Sequence, residues 1–148
     1  MRRIMFRAKT DEDESKWVKG VFIPDCLESI HKQQLEWGFI KTYKLDEITG
    51  KAITKTYEVQ RHTVGQYTGV RDAQGKRIWE GDILQRQGLR KLFVGKVVYK
   101  DGAFMVEYVT DGRWDADLLC MLLDDTNNGR CTAKKIGNVF DNPELLVW

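Results

Sequence analysis

The segment that decides the fold is TVGQYTGVRDAQGKRIWEGDIL, which spans Thr63–Leu84. Four glycines divide it into short runs: Gly65, Gly69, Gly75 and Gly81. The group Asp72–Gly75 has the composition of a type I turn that a glycine closes. A second corner at Gly81-Asp82 is followed by Ile83-Leu84, where a strand begins. This spacing predicts short antiparallel strands connected by tight turns.

Downstream, the segment Leu92–Tyr99 is rich in β-branched and aromatic residues and predicts a strand. It is followed by Lys100-Asp-Gly-Ala103 and then by alternating apolar residues from Phe104 onward. Asp-Gly between two such runs is typical of a type I′ turn, which needs positive φ at both central positions. The sequence therefore predicts a β-hairpin centred on Asp101-Gly102.

The C-terminal third predicts shorter elements. Ala116–Leu123 fits either a short helix or a buried strand, and 124–130 reads as a polar turn. Lys135–Phe140 predicts a closing strand. Asn142 then precedes Pro143, which favours a helical turn with Pro143 at its first position and Asn142 as its cap.

Upstream of the central segment, Ile4–Arg7 and Trp17–Ile23 predict the two strands of a hairpin. The period then changes, and Asp25–Trp37 predicts a helix with Asp25 as its cap and Glu28 as the capping partner. Two further alternating runs, Phe39–Leu45 and Ile53–Val59, predict strands.

Together these elements predict an α+β fold, mainly β. A small antiparallel barrel of the SH3-like type is expected over Gly65–Phe140, with the hairpin and helix of Ile4–Trp37 packing on it or mediating assembly. The expected organisation is one domain over 1–148, with an N-terminal hairpin and helix part at 1–62 and a β-rich core at 63–148.

The charge balance gives little support for nucleic-acid binding. The 148 residues carry a formal net charge of +2, whereas a nucleic-acid surface requires a clustered basic face. The densest basic stretch consists of Arg86, Arg90, Lys91, Lys96 and Lys100. In a β region these residues favour a solvated face, and phosphate contacts remain the alternative.

Cysteine usage and hydropathy predict a cytoplasmic protein. The three cysteines, Cys26, Cys120 and Cys131, are odd in number and widely spaced, which predicts free thiols in a reducing compartment. Ile4-Met5-Phe6 is too short for the apolar region of a signal peptide. No stretch approaches the 18 apolar residues or so of a membrane span.

No residue pattern demands catalysis, a cofactor or a metal. Five carboxylates could in principle converge on a divalent cation: Asp72, Glu80, Asp82, Asp141 and Glu144. Their neighbours are glycines and prolines, so turn formation is the simpler explanation, and a ligand-binding role for Glu80 and Asp82 is the alternative. Neither His31 nor His62 has a Ser or Cys near it in a recognisable catalytic motif. Cys26 and His31 are five residues apart, so they would not lie close together on one face of a helix.

Three ordered blocks of this sequence resemble the YopX family of phage and prophage proteins. They are Thr63–Leu84, the pair Phe6–Lys9 with Trp17–Gly20, and Ile136–Leu146. The residues that carry the signature are Gly65, Gln66, Tyr67, Gly69, Asp72, Gly75, Trp79, Glu80, Gly81, Asp82, Gly137, Asn138, Asn142 and Pro143. The resemblance implies an origin in a bacteriophage or prophage and assembly into a homo-oligomer, and it supplies no catalytic residues.

The function expected from these observations is non-enzymatic. The chain is predicted to be a phage accessory protein that acts by self-assembly and by binding a phage or host protein. The alternative is a nucleic-acid-associated small-barrel module, which rests on analogy of fold and on the basic stretch between Arg86 and Lys100.

Overall fold

A computed structural model describes residues 4–24 and 37–146, with the side chain of Trp37 left out. The chain divides into two compact units, Met1–Gln66 and Tyr67–Trp148. The helix predicted over Asp25–Trp37 lies outside the described residues except for Trp37, where a strand begins.

The strands of the described residues are, in chain order, β1 (Phe6–Lys9), β2 (Trp17–Pro24), β3 (Trp37–Leu45), β4 (Ala52–Gln60), β5 (Gly65–Arg71), β6 (Arg77–Trp79), β7 (Asp82–Gln87), β8 (Leu92–Lys100), β9 (Ala103–Thr110), β10 (Arg113–Leu118), β11 (Leu123–Asp124), β12 (Arg130–Cys131) and β13 (Lys134–Asn138). Short 3-10 helices cover Arg61–Thr63, Leu119–Leu122, Asp125–Asn127 and Pro143–Leu145. Neighbouring strands pair antiparallel throughout.

The first unit is an antiparallel sheet that returns onto itself. Its strands pair in the order β4-β3-β2-β1. An isolated bridge between Thr10, just after β1, and Val59 of β4 links the two ends of that order. Four buried apolar side chains lie inside the ring that results: Ala8, Val18, Ile40 and Val59. The ring therefore encloses the hydrophobic core of this unit.

The 3-10 turn Arg61–Thr63 connects β4 to β5 and lies beside β1. The Thr63 hydroxyl accepts a hydrogen bond from the Lys9 backbone N–H at 2.9 Å and donates one to the Gln60 carbonyl at 2.7 Å. Beyond this turn, β5 pairs with β1, with Gly65 opposite Arg7 and Gln66 opposite Phe6. The start of the signature segment is thus part of the first unit.

The second unit is built on a five-stranded sheet with strand order β10-β9-β8-β7-β13. Its buried apolar side chains form one cluster: Ile78, Leu84, Val97, Val106, Leu119, Leu122, Cys131 and Ala133. The strands alternate between core-facing and outward side chains, as a sheet with one buried face requires. The separate β11-β12 pair supplies Cys131 to this cluster.

The β8–β9 hairpin is confirmed. Asp101 and Gly102 have φ of 53° and 81°, as a type I′ turn requires. A second hairpin of the same kind joins β9 to β10, where Asp111 and Gly112 have φ of 52° and 74°. This second turn was not predicted, although Asp111-Gly112 carries the same Asp-Gly signal.

Two C-terminal predictions need revision. Ala116–Leu123 is neither one helix nor one strand, because β10 ends at Leu118 and the 3-10 helix Leu119–Leu122 follows. Pro143 begins a 3-10 turn as predicted, but the side chain of Asn142 does not cap it. The Asn142 side-chain oxygen instead accepts a hydrogen bond from the Asn138 backbone N–H at 3.3 Å, because the chain folds back there.

The mainly β, antiparallel fold predicted from the sequence is confirmed. The bridge that brings a sheet back onto itself lies in the first unit, whereas the sequence placed the barrel at Gly65–Phe140. The SH3-like type and the single-domain organisation stay predictions. The boundary between the two compact units falls after Gln66, close to the division between 62 and 63 that the sequence suggested.

Candidate functional site

The corner at Trp79–Asp82 is a packed structural element. Gly81 has φ of 84°, a conformation that glycine adopts without strain. The Asp82 side chain is fully buried, and its Oδ2 accepts a hydrogen bond from the Trp79 backbone N–H at 2.8 Å. The Trp79 ring is also buried and packs against the Tyr67 ring, with 5.3 Å between centroids. This is the turn geometry that the sequence predicts for Gly81 and Asp82.

Asp72 holds the preceding turn in the same way. Its buried carboxylate accepts hydrogen bonds at Oδ1 from the backbone N–H groups of Gln74 (2.9 Å) and Lys76 (2.8 Å). The Gly75 N–H closes the turn onto the Asp72 carbonyl at 2.9 Å, and Gly75 has φ of 85°. A buried carboxylate with several amide donors is a stable arrangement, because each donor offsets part of the cost of desolvating the charge.

Lys135 of β13 connects the two buried carboxylates. Its backbone N–H donates to Asp72 Oδ2 at 3.0 Å, and its ammonium lies 3.1 Å from Asp82 Oδ2. Lys135 keeps 23% of its side chain exposed, whereas that of Asp82 is fully buried. Asp72 and Asp82 therefore act as ties between the central segment and the strand that closes the sheet.

The C-terminal block packs on the same corner. The Gly81 carbonyl accepts a hydrogen bond from the Val139 backbone N–H at 2.8 Å, and the Gly81 N–H donates one to the Val97 carbonyl at 2.8 Å. A side chain at position 81 would meet the Phe140 ring at 3.3 Å. Gly137 is similarly restricted, since a Cβ there would lie 2.5 Å from the Asn142 side-chain oxygen.

The remaining signature residues also have structural positions. Gly69, with φ of 85°, lies in the irregular part of the β5–β6 pairing. Asn138 turns the chain after β13, because its side-chain oxygen accepts from the N–H groups of Phe140 and Asp141, both at 3.0 Å. Glu80 is half-buried. The N-terminal block forms the β1–β2 pair. The signature thus marks turns and strand contacts.

The five candidate carboxylates do not form a metal site. Within residues 4–24 and 37–146, no group of three or more His, Cys, Asp or Glu side chains is arranged to hold a metal ion. Asp72 and Asp82 are occupied by backbone amides and Lys135, and Asp141 accepts a hydrogen bond from the Asn138 side chain at 2.8 Å.

Of the cysteines and histidines, Cys120, Cys131 and His62 lie within the described residues. Cys26 and His31 lie outside them. Cys131 is buried, and desolvation raises the pKa of its thiol, which makes it a poorer nucleophile. Cys120 is exposed and free.

The basic stretch is partly neutralised. Lys91 forms an ion pair with Asp111 at 2.9 Å, and Lys96 lies 3.8 Å from Glu107. Two of its five cations are therefore engaged by carboxylates of the neighbouring chain segments. This arrangement resembles a mixed-charge sheet surface more than the continuous basic groove that phosphates require.

The clearest exposed apolar feature lies at the outer end of the β3–β4 hairpin. β2 pairs with β3 only as far as Lys41, whereas β3 and β4 continue to pair with each other up to Leu45 and Ala52. We call the segment Thr42–Lys55 the arm. Its large apolar side chains are highly exposed: Tyr43 60%, Leu45 67%, Ile48 95% and Ile53 53%.

The tip of the arm is an ordered turn built on Asp46. The Asp46 Oδ1 accepts hydrogen bonds from the N–H groups of Ile48 (2.9 Å) and Thr49 (3.3 Å), and these bonds lower the pKa of Asp46. The Gly50 N–H donates to the Asp46 carbonyl at 2.8 Å. Local hydrogen bonds thus fix the backbone that presents Ile48 to solvent. The sequence predicts the two strands of this hairpin, Phe39–Leu45 and Ile53–Val59, but the exposed apolar surface was not predicted.

A shallow cleft that is open to solvent and encloses about 30 Å³ lies on the sheet of the second unit. Its lining is mainly apolar, with Arg86, Tyr108 and Asp117 as the polar members. The Tyr108 hydroxyl donates a hydrogen bond to Asp117 Oδ2 at 3.1 Å. Burial first, and then this bond and the charges of Asp117 and Asp115, raise the pKa of Tyr108 to about 12. The sequence did not reveal the Tyr108–Asp117 pair, which depends on the register of β9 and β10.

Among the described residues, no helix has the length and apolar character needed to cross a membrane. None of the curated protein sequences matches the chain significantly. A solved structure that resembles it is the crystal structure of protein EF1440 from Enterococcus faecalis. That structure is 22% identical with a TM-score of 0.51, over 98% of this chain and 99% of that one. At this identity the likeness shows a shared fold.

The fold and the signature contacts define a class of small, antiparallel β proteins in which three sequence blocks are tied together by turns and strand pairs. The family model for the YopX protein matches residues 5–147, nearly the whole chain. The chain therefore belongs to the YopX family, as the three blocks indicated.

Proposed function

We propose that this chain is a non-enzymatic accessory protein of phage or prophage origin that acts by self-assembly and by binding a partner protein in the bacterial cytoplasm. Membership in the YopX family supports the origin. The occupation of Asp72 and Asp82 by structural hydrogen bonds supports a role other than catalysis. The arm is the observation that carries the assembly part.

The arm is poorly stabilised by the chain's own strands. A two-stranded hairpin is marginal by itself in water and gains stability when a face or an edge is covered. Tyr43 and Leu45 alternate with Lys44 along β3, and Ile53 is the register partner of Lys44, so the two faces of the arm both carry exposed apolar groups. Exposed apolar side chains concentrated on one projecting element are typical of an interaction site.

A second copy of the same arm is the occupant that we propose for this surface. The arm carries charges of both signs, with Asp46, Glu47 and Lys51 in the turn and Lys44 and Lys55 on its strands. Two arms packed antiparallel can therefore pair opposite charges as well as apolar side chains. A two-fold interface needs such self-complementarity, because the same surface contributes both sides.

Light scattering at micromolar concentration tests the assembly. The wild-type protein is expected to be oligomeric, and the Tyr43→Ser/Ile48→Asp variant to be monomeric. Leu89→Asp is the matched control, because Leu89 is fully exposed but lies outside the arm. A monomeric wild-type protein would count against self-assembly, and an arm variant that still assembles would count against the arm.

A further inference from the structure

The outer side of β4 is an open strand edge along the arm. β4 is the last strand in the pairing order of its sheet, and on its outer side Val59 forms the bridge to Thr10. In the part of the chain that the structure describes, no strand pairs with that side of Ala52–Tyr57. This stretch contains no proline and consists mainly of β-branched and aromatic residues. It is therefore suited to accept another strand.

One hydrogen bond shows which backbone groups of β4 point away from β3. The Glu58 carbonyl accepts a hydrogen bond from the Asp11 N–H at 3.2 Å, so the backbone of Glu58 faces away from β3. β3 and β4 pair without a bulge, and backbone groups alternate between the two sides of a strand. Thr56, Thr54 and Ala52 therefore face the same way as Glu58. All three are exposed, and their N–H and C=O groups are open to a second strand.

A single two-fold register uses all three open residues. In an antiparallel pair of β4 strands with Thr54 on the axis, Thr54 lies opposite the Thr54 of a second copy, and Ala52 lies opposite Thr56. An axis at Thr56 would require the Glu58 carbonyl, which is already bonded within the chain. An axis at Ala52 would require Gly50, whose N–H is bonded within the turn and whose φ is 66°. The intrachain hydrogen bonds thus select the axis at Thr54.

The side chains are compatible with this register. Lys55 is the charged residue of Ala52–Tyr57, and it lies opposite Ile53 of the second copy, so the two lysines do not face each other directly. The two Ile53 side chains are diagonal neighbours on the same face of the sheet. Thr54 meets its own copy, and Thr–Thr pairs are favourable across antiparallel strands.

We propose that two copies of the chain assemble by pairing their β4 edges antiparallel about Thr54, which joins their sheets into one continuous sheet. This inference rests on the proposed self-assembly through the arm and specifies its main-chain contacts. Three residue pairs then exchange two N–H···O hydrogen bonds each. The pairing also stabilises the arm, because a two-stranded hairpin gains stability when an edge is covered.

Residue-resolved hydrogen exchange of the full chain, at concentrations below and above association, tests the register. On association the amides of Ala52, Thr54 and Thr56 are expected to exchange at least about tenfold more slowly. The amides of Ile53 and Lys55 point toward β3, so their exchange should change much less. This alternation distinguishes strand pairing from contact between apolar side chains, which would slow neighbouring amides alike.

Two variants at one position test the main-chain contact. Thr54→Pro removes the N–H at the axis, and because that N–H points away from β3 the hairpin within the chain keeps its own ladder. Light scattering is expected to show association weakened about tenfold or more, since two hydrogen bonds are lost at the axis. Thr54→Val is the matched control: it keeps the N–H and the β-branched shape, and it should associate like the wild type.

The outcomes separate this pairing from self-assembly itself. A wild-type protein that is monomeric at every concentration would overturn both. In a protein that associates, unslowed amides at Ala52, Thr54 and Thr56 would overturn the pairing alone. A folded Thr54→Pro that associates as tightly as the wild type would do the same, and so would an equal loss in Thr54→Val. If Thr54→Pro does not fold, the exchange pattern of the wild type decides.

Discussion

Replacement of Asp72 by alanine removes a buried carboxylate that accepts three backbone N–H groups. Two of them, from Gln74 and Lys76, belong to the turn itself, and the third, from Lys135, belongs to β13. In Asp72→Ala these donors lose an acceptor that is itself fully buried. At about 1–2 kcal/mol for each unpaired donor, the free energy of unfolding should fall by about 3–6 kcal/mol.

Such a loss is a large part of the total stability of a small protein, which is about 5–15 kcal/mol. Urea unfolding followed by tryptophan fluorescence measures it. With an m-value of about 2 kcal/mol per molar urea, the midpoint should fall by about 2 M. Asp13→Ala is the control, because Asp13 also caps a turn, through Ser15, but is exposed. That control should leave the urea midpoint close to that of the wild type.

Asp72→Asn keeps the experiment informative if the alanine variant does not fold. Asparagine retains one acceptor oxygen, so it can hold the turn amides but presents an N–H₂ group toward Lys135, or the reverse. Its loss should lie between those of the control and of Asp72→Ala. If the free energy of unfolding of Asp72→Ala lies within about 1 kcal/mol of the wild-type value, the structural role of this signature residue is refuted.

Two other predictions concern single side chains. Gly81→Ala should destabilise the chain more than Gly102→Ala. Both glycines have positive φ, but a Cβ at position 81 would also meet the Phe140 ring at 3.3 Å and the Val139 side chain at 3.6 Å, whereas position 102 has no neighbour within 4 Å; equal urea midpoints would contradict this. The pKa of Tyr108 is about 12 in the folded chain against 10.0 for a free tyrosine, so the folded state keeps its proton where the unfolded state loses it. Stability from this group is complete below pH 10 and is lost between pH 10 and 12. Tyr108→Phe should lose less stability over that interval in urea unfolding, and an unchanged pH profile would argue against the raised pKa.

The sequence predicted those parts of the fold that depend on local chemistry. Asp101-Gly102 specifies a type I′ turn through its own backbone preferences, and Gly81-Asp82 specifies a corner in the same way. The Asp111-Gly112 turn has an equal signal, although no hairpin was predicted there. Antiparallel β structure follows from such turns and from alternation.

Contacts and strand register between residues far apart in the chain could not be predicted from the sequence. Asn142 looked like a helix cap from its neighbour Pro143, but in the structure its side chain accepts from Asn138, because the chain reverses there. The bridge between Thr10 and Val59 joins residues almost fifty positions apart, and no local sequence pattern predicts it. The helix-or-strand ambiguity at Ala116–Leu123 reflected a real change of structure at Leu118.

The candidate sites were the least predictable part. Asp72, Gly81 and Asp82 are among the residues that carry the family signature. Gly81 forms a turn, and the two carboxylates bind turn amides and Lys135. The arm is composed of ordinary residues, such as Ile48. It is distinguished by the exposure of its apolar side chains, which depends on where β2 stops pairing with β3 and is not encoded locally.

Hydrogen exchange at two protein concentrations is the most direct test of assembly through the arm. Amides of the arm, Thr42–Lys55, should exchange more slowly at high concentration, because a second arm covers them. Amides around Asp72 and Asp82, which are buried within one chain, should exchange at the same rate at both concentrations. Arm amides that exchange equally fast at both concentrations, in a protein that light scattering shows to associate, would contradict assembly through the arm.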